Sequence, residues 1–215
     1  MRAVATTVSV RGIITTRYAH LCNQENSSTL EAYSDAFILI GGSTVPGGEQ
    51  DLWAQFGFTT TRPEGSSDIG HYFYWEIGVG HGQFETKRVP MKTPLDNSNH
   101  SYQIDLDKST GTWTFSLDLG TGDAWTRSVV SNVWKNKVGI GFGFAGEFLF
   151  NETNLPGSIA APCKCSSFQF KIDGGSWTNA NIPNNTTNIN SPNFNKWQIQ
   201  YVSATEIDMW DWQVP

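Results

Sequence analysis

Apolar and polar residues alternate in short runs along most of the chain, the period of two that sends successive side chains to opposite faces of a strand. The clearest case is 101–107, where Tyr102, Ile104 and Leu106 alternate with polar neighbours; Lys108-Ser109-Thr110-Gly111 then supplies a turn and 112–117 returns, predicting a hairpin. Residues 36–40 form a compact apolar run closed by Gly41-Gly42. In 52–60, Leu52, Ala54, Phe56 and Phe58 share one face, and Trp53, Gln55, Gly57 and Thr59 share the other. Further strands are predicted at 8–15, 71–77, 137–150, 165–172, 197–202 and 205–212. The polar stretches 22–34 and 62–70 read as loops, and 44–48, with Pro46, Gly47 and Gly48, is unsuited to a central strand. Residues 178–196 are Asn-rich, carry Pro183 and Pro192, and read as a long surface loop. About ten to thirteen strands, turn signals every eight to twelve residues and no helical pattern point to an all-β sandwich or barrel. Neither a composition break nor a fixed-period repeat divides residues 1–215, so one domain is expected.

Composition sharpens that picture. Of the 215 residues, 13% are aromatic and only 16% charged, with nine Trp, thirteen Phe and twenty-one Gly, which suits pleated strands and glycine turns rather than a helical bundle. A net charge of −6, with no basic patch, argues against nucleic acid as a partner. No apolar run approaches the roughly 18 residues of a membrane helix, and the start MRAVATTVSVRG lacks the apolar core of an export signal. The three cysteines make no disulfide framework: Cys22 has Cys163 or Cys165 as possible partner, with one thiol left over. Cys163 and Cys165 share a strand face, yet neither they nor His20, His71, His81 and His100 show the spacing of a metal site, so no metal is expected. Sequons at Asn26, Asn99, Asn151, Asn184 and Asn185 are what chance supplies in so Asn-rich a chain.

Two groups of residues carry chemistry. The first runs Ala36-Phe37-Ile38-Leu39-Ile40-Gly41-Gly42, then Leu52-Trp53-Ala54-Gln55-Phe56-Gly57-Phe58, then Tyr72-Phe73-Tyr74-Trp75-Glu76, and later Gly143-Phe144-Ala145-Gly146-Glu147-Phe148-Leu149-Phe150. This succession, over roughly residues 34–172, resembles that of the eqolisin-type glutamic peptidases. The resemblance implies a two-sheet antiparallel concanavalin-like sandwich and an acid-acting, extracellular endopeptidase. It further implies a monomer that needs no cofactor and takes protein or peptide substrates. Carried over by motif, the catalytic pair falls on Gln55 and Glu147, with Trp53, Trp75, Glu76 and Phe37 as groove-lining, substrate-binding residues. The chain departs from the family pattern in three places. Phe37 replaces a Trp, Gly42 follows Gly41 where Asp-Gly is expected, and the second downstream acid is displaced to Glu152.

The chemistry is coherent. A carboxylate takes a proton from water as it attacks an amide carbonyl and returns one to the leaving amine. A carboxamide does not titrate, but its N–H stabilises the developing oxyanion. For Gln55 the ordinary alternative is an edge-bonded or solvated side chain, and for Glu147 a lone polar residue on an open sheet face. The second group, Glu206-Ile207-Asp208-Met209-Trp210-Asp211, looks like the acidic signature of laminarinase-type glycoside hydrolases, with Asp211 where a Glu is expected. Strict alternation puts Glu206 and Asp208 on one face and Asp211 on the other, so a terminal strand with solvent-facing acids is the plainer reading. A lectin-like module, with Trp53, Trp75 and Trp113 as a sugar-stacking platform, is the remaining glycan-directed alternative.

Overall fold

A computed structural model describes residues 2–19, 21, 32–43, 52–62, 68–80, 83–90, 98–120, 124–148, 156–182 and 197–211. Its thirteen strands are β1 (Arg2–Thr15), β2 (Ala32–Ser43), β3 (Trp53–Arg62), β4 (Gly70–Gly80), β5 (Gln83–Pro90), β6 (Asn99–Asp107), β7 (Thr112–Leu117), β8 (Trp125–Val130), β9 (Gly139–Phe148), β10 (Cys163–Ile172), β11 (Trp177–Asn179), β12 (Trp197–Ser203) and β13 (Glu206–Asp211). One 3-10 turn, Asn132–Trp134, is the helical element among the described residues.

The strands form an antiparallel sandwich. One layer runs β1-β9-β2-β3-β4-β5, and the other runs β12-β13-β10-β1-β6-β7-β8, with β11 on β10. β1 belongs to both: Arg2 and Ala3 pair with Phe142 and Gly141 of β9, whereas Ser9–Ile14 pair with β10 on one side and β6 on the other. It changes layers at register shifts around Thr6, whose φ of 73° is a left-handed conformation rare for a β-branched residue.

The core lies where the two layers' inner faces meet. Aromatic rings bridge it: Phe56 lies edge-on to Tyr102 and Phe115, Trp75 stacks on Phe115, and Phe142 stacks on Phe170. Ala36, Ile38, Ile40, Ala54, Phe56 and Phe58 all point into it, so the alternate residues of β2 and β3 face the opposite way.

The hairpin of β6 and β7 has the register expected, Tyr102 opposite Leu117 and Leu106 opposite Trp113. β5, β8 and β11 are strands that the alternation did not signal, and β2 begins at Ala32, inside the stretch read as loop. β5 is an edge strand and almost wholly exposed, with Glu85, Lys87 and Arg88 along it, so nothing imposes an apolar period. The segment 44–48, His20, Cys22, His81, Leu149, Phe150, Glu152, Trp212, the sequons at Asn26, Asn151, Asn184 and Asn185, and most of the 178–196 stretch lie outside the described residues. Cys163 and Cys165 are both free and buried. No described helix is long and apolar enough to cross a membrane.

Candidate active site

The outward face of β9-β2-β3-β4 collects the chemistry, because it is the parity left over once the core face is filled. On β2 that parity holds Asp35, Phe37 and Leu39; on β3, Trp53 and Gln55; on β4, Tyr74 and Glu76; on β9, Ala145 and Glu147. In register, Gln55 lies opposite Leu39 on one side and Glu76 on the other, and Glu147 lies opposite Asp35.

Gly57 makes the centre of this face possible. It sits in register between Phe37 and Tyr74, and a Cβ there would fall 2.0 Å from the Ala36 carbonyl and 2.6 Å from the Phe37 Cα. Without that atom the Phe37 and Tyr74 rings meet edge-on across the glycine, 6.4 Å between centroids. Phe37 is thereby buried beneath this face.

A chain of hydrogen bonds links the polar groups. Gln55 is only 5% exposed, and its Nε2 donates long bonds of 3.4 Å to the Tyr74 hydroxyl and 3.4 Å to Glu76 Oε1. The Trp53 indole N–H also donates to Glu76 Oε1, at 3.2 Å. Tyr74 in turn donates to Asp35, and Asp35 Oδ1 accepts the Glu147 backbone N–H at 2.9 Å. The path from Gln55 to Glu147 thus runs through Tyr74 and Asp35.

The two expected catalytic residues share a face without being neighbours. Glu147 stands four positions along β2 from Gln55 and one strand further across, about 13 Å along and about 10 Å across by ordinary strand spacing. Among the described residues, the carboxyl that Gln55 bonds is that of Glu76.

Four titratable groups on one partly dry face push each other toward neutrality. Burial raises Glu76 to about 7; the nearby Glu147 charge adds to this, while the Trp53 bond and Arg88 oppose it. Asp35, 4% exposed, lies well above the usual carboxylate range, through burial first and Glu147 second. Tyr74 rises through burial and then the Asp35 charge. Glu147 reaches solvent, yet the protein around it displaces enough water to raise it as well.

Trp75 is a correction to the sequence-based expectation. It is not on this face: at 5% exposure it points into the core, stacked 5.3 Å from Phe115, because it alternates with Tyr74 and Glu76 on β4. Trp113 is fully buried, edge-on to Trp134. With both inside, the sugar-stacking platform of three tryptophans is not formed. Glu206 and Asp208 lie in the other layer, 3.7 and 3.6 Å from Lys164, and the Asp211 side chain lies outside the described residues. No described His, Cys, Asp and Glu residues are grouped to hold a metal ion.

Asp35 and Tyr74 were not singled out from the sequence. The signal was present: Asp35 is the acid adjoining an apolar run and shares its parity with Phe37, and Tyr74 shares that of Glu76.

No protein-family model matches the chain, and no curated protein matches it by sequence. Solved structures do match. Scytalidoglutamic peptidase bound to a transition-state analog inhibitor superposes with a TM-score of 0.58 at 15% identity, over 97% of this chain and 94% of that one. SCP-B, a member of the eqolisin family of peptidases in complex with the tripeptide Ala-Ile-His, gives 0.57 at 14%, over 97% and 94%. Aspergilloglutamic peptidase from Aspergillus niger gives 0.54 at 14%, over 83% of this chain and 98% of that one. At such identity the likeness is one of fold, and the fold of this chain is that of the eqolisin peptidases.

Proposed function

We propose that the chain is a glutamic-peptidase-like hydrolase that cleaves peptide bonds in acid, with Gln55 and Glu147 as its working pair. The observation that carries this reading is the setting of Gln55. A neutral carboxamide, nearly closed off from water, is held by Tyr74 and Glu76 on a face it shares with Glu147. Burying a carboxamide among acids costs desolvation, and one of its two long bonds, to Tyr74 or Glu76, gives way when that N–H turns to an oxyanion.

A substrate peptide lies across β2 with its scissile carbonyl between the two residues. The Glu147 carboxylate takes a proton from a water molecule, whose oxygen attacks the carbonyl carbon, and the Gln55 amide N–H meets the developing oxyanion. Gln55 and Glu147 stand on opposite sides of β2, farther apart than one water reaches, so the substrate carbonyl and the water together have to bridge them. Trp53 contributes a wall for substrate side chains, while Phe37, closed off from solvent, supports the face from beneath. The shared fold supports the reading, since neighbours of that fold are peptidases seen with peptide-like molecules bound. Acid activity fits a site that works with carboxyls and no histidine, and the burial that raises Glu76 and Glu147 moves its optimum toward the upper end of the acid range. By the same reading the protein is an extracellular monomer without a cofactor.

Incubation with a denatured protein from pH 2 to 7 tests this. Acid cleavage that resists pepstatin and is lost in Glu147→Gln supports it, with Gln55→Ala losing about 100-fold or more in kcat. Undiminished cleavage by Glu147→Gln refutes it.

A further inference from the structure

Glu76 is placed to do more than line the groove. It is the direct register neighbour of Gln55, and its Oε1 accepts both the Gln55 amide and the Trp53 indole. With two donors on one oxygen, that oxygen serves as the carbonyl side of the carboxyl, and Oε2 is left to carry a proton. Burial is what favours that protonated form: the charge of Glu147 on β9 adds to it, while the Trp53 bond from β3 and Arg88 of β5 oppose it, and Asp35 of β2 and Tyr74 of β4 are the other titratable groups on this face.

We propose that Glu76 is the general acid of the site, giving its Oε2 proton to the departing amine, while Glu147 activates the water. This rests on the peptidase reading and divides between two carboxyls the labour that reading assigned to one. The proton balance closes. Glu147 takes one proton from the attacking water, and a C–O bond forms. Glu76 gives one proton to the amide nitrogen as the C–N bond breaks. Acid and amine leave, and bulk water returns a proton to Glu76 and removes one from Glu147. Two groups whose surroundings separate their titrations are how one site runs base and acid chemistry together. Glu147, open to water, is raised less than Glu76, which reaches about 7.

The test compares a peptide with an activated ester of the same acyl sequence, such as a 4-nitrophenyl ester, whose leaving group needs no proton. Glu76→Gln keeps a carbonyl oxygen for Trp53 and Gln55, so its fold is checked by its unfolding midpoint at pH 4. The expected result is a loss of about 100-fold or more in kcat/KM on the peptide. The ester should change by less than about threefold, and the alkaline limb near pH 7 should disappear from the peptide profile. Glu147→Gln slows both substrates. Equal losses on peptide and ester in Glu76→Gln, or an unchanged peptide rate, overturn the assignment while leaving the peptidase reading standing. A wild-type protein that cleaves neither substrate removes that reading, and this inference with it.

Discussion

Replacing Glu76 by Gln makes a prediction about stability that is independent of any activity. The carboxyl titrates near 4.5 when the chain is unfolded and at about 7 in the folded protein, with burial the leading cause. Because the folded value is the higher one, the two states bind equal protons below about pH 4.5. As pH rises from there through 7, the folded state is the one that must surrender a proton it holds more tightly. Glu76 therefore costs stability progressively over that window. At full weight the difference amounts to about 3 kcal/mol. The side chain is only partly buried, so screening by water reduces this to about 1–2 kcal/mol. Gln removes the titration while its amide oxygen still accepts the Trp53 indole. Asp35 and Glu147 titrate in both proteins and cancel to first order. Urea unfolding should therefore find the two proteins within about 0.5 kcal/mol at pH 4. At pH 8 the variant should be more stable by about 1–2 kcal/mol, or about 2–8 °C in midpoint for a chain of this size. A gap that does not change with pH, or a wild type that is the more stable at pH 8, refutes the description of Glu76 as a carboxyl destabilised by its surroundings.

Two other outcomes are expected. Gly57→Ala puts a Cβ within 2.0 Å of the Ala36 carbonyl oxygen, where only backbone stands to yield, so β2 and β3 must part; circular dichroism and thermal melting should show a loss of several kcal/mol or failure to fold. A mutant that melts with the wild type would contradict this. Cys163 and Cys165, whose thiols burial pushes far up, should resist a disulfide reagent in the native protein and react once it is denatured, as peptide mapping of the labelled residues would show.

The elements legible in the sequence are those with one wet face and one dry face. The hairpin of β6 and β7 alternates because Tyr102, Ile104 and Leu106 are dry and their neighbours are not. β3 is buried along both faces, so Gln55 was placed by its polarity and by its parity opposite to Phe56 rather than by a wet face. β4 deceived because both of its faces are aromatic, Phe73 and Trp75 inward and Tyr72 and Tyr74 outward. Adjacent Trp75 and Glu76 read as companions when the pleat sends them to opposite sides. β5 left no trace because a solvated edge strand has no dry face to impose a period. The cluster as a whole was unreadable for a different reason. Asp35 meets Glu147 through the pairing of β2 with β9, strands more than a hundred residues apart, and no local pattern encodes that register.

That same remoteness governs how the molecule assembles. β1 is the tie between the two layers, and the first described strand to be synthesised, yet Thr7 pairs with Ile172 and Arg2 with Phe142. Every partner that completes it, β6, β9 and β10, is made much later in translation. Nearly the whole described chain must leave the ribosome before β1 has both its edges satisfied, so the layers close late and together. Such long-range closure is slow, and an early strand left waiting exposes edges that invite the wrong partner.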